Sequence, residues 1–205
     1  GGIFDVDGTL LDSMMVWRDL GARYLEELGL EAEEGLGDTL FSMSLEEGAS
    51  YLIRNYRLNQ TVSQVIEGLH NRLARFYAEE AEPKPGAKEL LERFGERKIP
   101  MVIATSGDRE NAEAALERLG FLKWFQRVFT CSEIGKGKTE PDIYLAAAEM
   151  LGGRPEEIWV FEDTLYGIRT AKKAGFLTAA VRDESSEGQR EEIQREAAVY
   201  LEKIS

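Results

Sequence analysis

The sequence is short of several residue types, and each shortage excludes something. Cys131 is the only cysteine among 205 residues, so no disulfide can form within the chain, and a reducing compartment, the cytoplasm, is the expected setting. His70 is the only histidine. A histidine-rich zinc site is therefore excluded, and a Ser-His-Asp or Cys-His pair would have to use this one residue. It falls in VIEGLHNRLARFY, a helical pattern in which a surface or packing role accounts for it. General acid and base work is left to carboxylates. No apolar run approaches the roughly 20 residues needed to cross a bilayer, and no secretory signal is visible behind the opening Gly1-Gly2. Positive charge is scarce: 25 basic residues face 38 acidic ones, for a net charge of -13. That balance argues against nucleic acid or an anionic membrane as partner. An anionic substrate would need positive charge supplied locally.

What is present reads as a soluble globular chain, long enough for one core plus a modest insertion. Short apolar runs at residues 2–5, 100–105, 127–131, 157–163 and 176–181 predict five strands. Helical patterns lie between them: Ala112, Ala115, Leu116 and Leu119 before Gly120, then Asp142 to Met150, then Leu165 to Ala174 before Gly175. This alternation predicts an α/β fold, a Rossmann-like parallel sheet with helices on both faces. One segment breaks it. From Met14 to about Glu82 the pattern is helical only, with capping boxes at Ser44/Glu47 and Thr61/Gln64 and roughly three helices. The expected organisation is a core of residues 1–13 and 84–205 with an inserted all-helical cap, 14–83.

In parallel sheets ligands bind at the carboxyl ends of strands, and Asp5, Thr105 and Asp163 all fall there. Asp5 and Asp7 are two apart in FDVDGTLLDS, so on extended backbone both carboxylates face one volume. Glu162-Asp163 closes the fourth strand in the same way. Such a gathering of acids points to a hard cation such as Mg2+. Thr105 and Ser106 open a helix whose N–H groups could hold an anion, and Lys138 in GKGKTEPD supplies a positive charge. Gly137-Lys138-Thr139 imitates the end of a P-loop, but residue 132 is Ser rather than the required Gly, and Pro141 interrupts the helix.

FDVDGTLLDS, IATS, GKGKTEPDIY and VFEDT, in that order, resemble the four motifs of the haloacid dehalogenase superfamily of phosphohydrolases. The resemblance spans essentially the whole chain, and the helical insert resembles the C1-type cap of subfamily I. It implies Asp5 as nucleophile, Asp7 as general acid and base, and catalytic roles for Thr105 and Lys138. It implies phosphate binding by Asp7, Gly8, Thr105, Ser106 and Lys138, and Mg2+ held by Asp5, Asp7, Glu162 and Asp163. Thr139 stands where the family usually has Pro, which is expected to loosen the loop carrying Lys138. Ser13, Trp17 and Met43, within a wider set including Met14, Met15 and residues 41–44, are the expected specificity residues.

Members of the superfamily perform other reactions, and particular residues discriminate among them. A dehalogenase needs neither Asp7 nor Asp163. A phosphonatase needs a cap lysine, and residues 14–83 contain none. A β-phosphoglucomutase resembles this chain more closely, but Trp17 and Leu45 stand where its cap carries His and Arg. The expectation is therefore a monomeric phosphatase acting on a small phosphorylated metabolite such as a sugar phosphate, phosphoglycolate or nucleotide. The alternatives are a mutase and a non-catalytic sensor of a phosphorylated ligand.

Overall fold

The apolar runs that suggested strands do pair, because strands buried on both faces can be apolar throughout. The computed structural model describes residues 1–41 and 43–204. Its elements begin with β1 (Gly2–Phe4), β2 (Leu11–Asp12), α1 (Met14–Glu27), α2 (Leu36–Phe41), α3 (Leu45–Tyr56) and α4 (Val62–Arg75), which continues as a π-helical turn over Phe76–Glu80. There follow β3 (Glu82–Pro83), α5 (Ala87–Glu96), β4 (Met101–Thr105), α6 (Arg109–Arg118), β5 (Phe125–Thr130), α7 (Cys131–Ile134) and α8 (Asp142–Leu151). The chain closes with β6 (Trp159–Glu162), α9 (Leu165–Lys173), β7 (Leu177–Val181), α10 (Arg190–Glu196) and β8 (Val199–Leu201).

Six strands form one sheet in the order β5-β4-β1-β6-β7-β8, and every pairing is parallel. Phe4 lies opposite Ile103 on one side and Phe161 on the other. Alternation sends successive side chains to opposite faces. Ile3, Val102, Ala104 and Val160 pack with Ile143, Tyr144 and Ala147 of α8. Phe4 stacks on Phe161 at 4.3 Å between ring centroids and meets Phe94 of α5 edge-on. Helices thus cover both faces. The sixth strand, β8, was not expected from sequence. It is held at its start by the Ala198 amide, which donates to the carbonyl and the hydroxyl of Thr178.

The chain divides into two compact units, Gly1–Ser13 with Ala81–Ser205, and Met14–Glu80. Residues 81–83, expected in the insert, fall in the first unit because Glu82 and Pro83 pair antiparallel with Asp12 and Leu11. Among the described residues the second unit has four α-helices where about three were expected, the short α2 being the addition. Tyr24, Leu25, Ala49, Leu52, Val65 and Leu69 form its core. Both capping boxes are made, Ser44 with Glu47 and Thr61 with Gln64. Among the described residues no helix is long and apolar enough to cross a membrane.

Candidate active site

Because β4, β1 and β6 are adjacent and parallel, the residues that end them share one sheet edge. Thr105 is the last residue of β4 and Glu162 the last of β6. Asp5 follows β1 directly, its amide donating to the Phe161 carbonyl. Lys138 reaches the same point from the loop before α8. Its buried ammonium donates to Asp5 Oδ1 and, at 2.6 Å, to Glu162 Oε1. Burial works against that charge, but Asp5 and Glu162 outweigh it and hold the lysine pKa well above its usual range. The loop is pinned from outside by Thr170 Oγ1, which donates to the Thr139 carbonyl.

Glu162 is the most heavily bonded group of the cluster. Oε1 also accepts from the Tyr144 hydroxyl at 3.2 Å. Oε2 accepts from the amides of Asp163 and Thr164, both at 3.1 Å, and from Thr164 Oγ1 at 2.8 Å. Burial opposes its ionisation, but Lys138 and the Thr164 donors prevail, so its pKa is lowered. Gly167 makes this possible: a Cβ there would lie 2.6 Å from Glu162 Cδ.

Asp163 is in the opposite situation. Its Oδ1 accepts from Thr9 Oγ1 at 3.3 Å, while Oδ2 is buried without a hydrogen-bond partner. Burial, with the charges of Glu162, Asp5 and Asp183 added, holds its pKa well above the carboxylate range. Asp5 is pushed up to about 7 by burial, against the pull of Lys138 and with Glu162 and Asp7 adding to the rise. One oxygen from each of Asp5, Glu162 and Asp163 lies within 4.8 Å of the others. A buried carboxylate oxygen with no hydrogen-bond partner, beside a second carboxylate whose charge is opposed by burial, is a donor set suited to a positive charge. The residues present fit a hard divalent ion.

Asp7 lies beyond the strand, in the turn closed by the Leu11, Leu10 and Thr9 amides donating to the Val6 carbonyl. Gly8 takes φ +80 there, the left-handed conformation that glycine adopts most readily. Ser13 Oγ donates to Asp7 Oδ1 at 2.6 Å. Ser13, expected among the specificity residues, therefore belongs to the core unit and orients Asp7. On the other side the chain passes close: a Cβ on Gly107 would lie 3.0 Å from Asp7 Oδ2 and 3.2 Å from Thr105 Oγ1. The Gly107 amide donates to Thr105 Oγ1 at 2.9 Å. The expectation that Thr105 and Ser106 open a helix needs correction. The helix α6 starts at Arg109, because Asp108 caps it by accepting from the Asn111 amide. Ser106 is exposed in the loop before it, 3.5 Å from Cys131 Sγ.

Comparison with known proteins decides the family. A family model described as haloacid dehalogenase-like hydrolase matches residues 3–175. The chain belongs to that family. Among its relatives, a phosphorylated carbohydrates phosphatase of Thermotoga maritima is 30% identical over 173 residues, 84% of this chain and 80% of the relative. The fructose-1-phosphate phosphatase YqaB of Escherichia coli is 28% identical, covering 89% of this chain and 96% of its own length. A crystal structure from Thermotoga maritima with a provisional β-phosphoglucomutase assignment superimposes with a TM-score of 0.85 at 27% identity, over 98% of this chain and 93% of that one.

As a haloacid dehalogenase-like hydrolase, the chain has its four motifs gathered at one edge of the sheet. The specificity residues expected from sequence divide between the units. Trp17 and Met43 line one cavity of about 310 Å3 inside the helical unit, with Leu20, Leu40, Leu45 and Leu52 around them. Trp17 is 44% exposed. Met14 and Met15 do not line that cavity. Ser42, and the side chain of Phe41, lie outside the described residues. Sequence reasoning missed Thr9, Tyr144, Thr164, Gly107 and Gly167. The signals for Thr9, Tyr144 and Thr164 were inside the quoted motifs, in DGT, DIY and EDT, and those for Gly107 and Gly167 were the glycines shortly after β4 and β6.

Proposed function

We propose that this chain is a phosphatase that hydrolyses small phosphate monoesters, with Asp5 as the nucleophile. The observation that carries this reading is the pairing of Asp5 with Lys138 beside an Asp163 oxygen that has no partner. Asp5 attacks phosphorus in line and the ester P–O bond breaks, leaving the phosphoryl group on the Asp5 carboxylate. Asp7, held by Ser13, delivers a proton to the departing oxygen. Water then attacks the aspartyl-phosphate, Asp7 takes its proton, and phosphate leaves with Asp5 restored. Thr105 and the amides of the loop after it bind the phosphoryl oxygens. Lys138 shields their charge from Asp5.

Mg2+ suits an all-oxygen donor set. The Asp5 and Asp163 carboxylates and the Asp7 carbonyl would hold it, and Glu162, whose oxygens are both engaged, would act from behind. When bound it supplies Lewis-acid stabilisation of the phosphoryl charge. The activities for which the relatives are named support a sugar phosphate as substrate class. We assign the choice of leaving group to the cavity lined by Trp17 and Met43. A second reading, a hexose phosphate mutase, draws on the likeness to the β-phosphoglucomutase-assigned structure.

The test is turnover of p-nitrophenyl phosphate and a panel of sugar phosphates with and without Mg2+, by the parent and by Asp5→Asn. The expected result is Mg2+-dependent phosphate release that the variant loses by at least ~10³-fold in kcat. Ligand binding without release would make the protein a sensor. Isomerisation of β-glucose 1-phosphate in place of release would make it a mutase.

A further inference from the structure

The geometry points to Tyr144 as a positioning residue for phosphoryl transfer, acting through Glu162 on Lys138; this rests on the phosphatase reading above. Tyr144 is 1% exposed, and its ring packs in the core cluster with Ile143, Ala147 and Phe176. A phenylalanine would fill that space equally well, so the hydroxyl needs its own reason to be there. A hydroxyl buried among apolar side chains carries a desolvation cost unless it is bonded. Its bond goes to Glu162 Oε1, the same oxygen that accepts from Lys138 Nζ.

That sharing has a geometric consequence. A carboxylate has about four acceptor positions, two on each oxygen, so the five donors around Glu162 leave none spare and the three on Oε2 share the two there. In Glu162 one oxygen takes the Asp163 and Thr164 amides and the Thr164 hydroxyl, and the other takes Lys138 and Tyr144. The Oε2 side is fixed by backbone and so fixes the carboxylate plane. On the Oε1 side Tyr144 occupies one acceptor position, leaving the other for the ammonium. Lys138 is thereby aimed at Asp5, to which it also donates. Without the hydroxyl, Lys138 can take either position on Oε1, and its second contact, to Asp5 and to a phosphoryl group there, loses definition. Tyr144 touches neither substrate nor cation in this scheme.

The experiment is Tyr144→Phe, which keeps the ring and removes one oxygen. Five quantities are measured: kcat and KM for p-nitrophenyl phosphate, affinity for orthovanadate with Mg2+ present, Mg2+ affinity by calorimetry, and Tm. Positioning of Lys138 predicts a fall of about tenfold in kcat with KM within about twofold, since the interaction matters most as charge develops. Orthovanadate, a mimic of the five-coordinate state, should weaken by a similar factor. Mg2+ affinity should stay within about twofold, and Tm within about 3 °C, as for loss of one hydrogen bond in a chain this size. Unchanged kcat and orthovanadate affinity would overturn the proposal, reducing Tyr144 to a satisfied core residue. So would Mg2+ affinity falling in step with kcat, or a kcat loss matched by a large fall in Tm. If the parent hydrolyses no phosphate ester, the phosphatase reading fails by itself, and the orthovanadate comparison still decides Tyr144.

Discussion

Asp163→Asn should stabilise the cation-free protein while abolishing its response to Mg2+. In the structure Asp5 and Glu162 share the Lys138 ammonium, while Asp163, in the same carboxylate cluster, is not paired with it and its Oδ2 has no partner. A buried polar group left unsatisfied costs roughly 1–3 kcal/mol. Asparagine keeps a polar group there but removes the charge, so about 1 kcal/mol is the expected recovery, or about 2–4 °C in Tm for a chain of this length. Mg2+ at about 100 times its Kd should stabilise the parent by ~2.7 kcal/mol and the variant hardly at all. The order of melting temperatures therefore inverts: variant above parent in EDTA, parent above variant in Mg2+. pH supplies a second check. The Asp163 pKa is raised in the folded protein, so the folded state binds this proton more tightly than the unfolded one. Its contribution to stability then declines as pH rises from about 4, the ordinary aspartate value. The advantage of Asp163→Asn in EDTA should grow with pH and disappear in acid. Differential scanning fluorimetry at several pH values, with EDTA or Mg2+, reads all of this. A variant less stable than the parent in EDTA at pH 8, or one still stabilised by Mg2+ as the parent is, would refute the reasoning.

Three further outcomes are expected. Asp7→Asn should lower kcat by about 10²–10⁴-fold on an alkyl phosphate and less on p-nitrophenyl phosphate, whose leaving group needs little protonation; equal losses on both would remove Asp7 from leaving-group protonation. Gly167→Ala should destabilise although alanine favours helices by about 1 kcal/mol, because its Cβ would meet Glu162 Cδ at 2.6 Å. Overpacking against so firmly held a group costs about 1–3 kcal/mol or more, and a thermal melt showing a gain would contradict it. Trp17→Ala should change kcat/KM unevenly across a panel of sugar phosphates with Mg2+ affinity intact; a uniform loss would deny Trp17 a part in selection.

Much of the core was legible because a parallel sheet advertises itself. Strands such as MVIAT and WVFE are apolar on both faces, and the residue that ends each one lies at the ligand-binding edge. That is why Asp5, Thr105, Glu162 and Asp163 could be named from sequence. The strand Val199–Leu201 was not legible: three residues after an acidic and basic helix carry no periodicity of their own. The start of α6 was misread because Ser106 and Asp108 are both plausible caps, and only the bond from Asn111 to Asp108 separates them. Ser13 was expected among the specificity residues, and Tyr144 was given no role, for a related reason. Their hydroxyl partners, Asp7 and Glu162, are chosen by tertiary structure. In the helical unit, periodicity identified the long helices and both capping boxes but not the six-residue α2.

The central claim is that the phosphoryl group rests on Asp5 between two displacements. Its most direct test is the stereochemical course of hydrolysis of an isotopically chiral phosphorothioate ester in labelled water. Two successive in-line displacements, the first by Asp5 and the second by water, predict retention of configuration at phosphorus. Inversion would mean that water attacks the ester directly, and Asp5 would then have no covalent role.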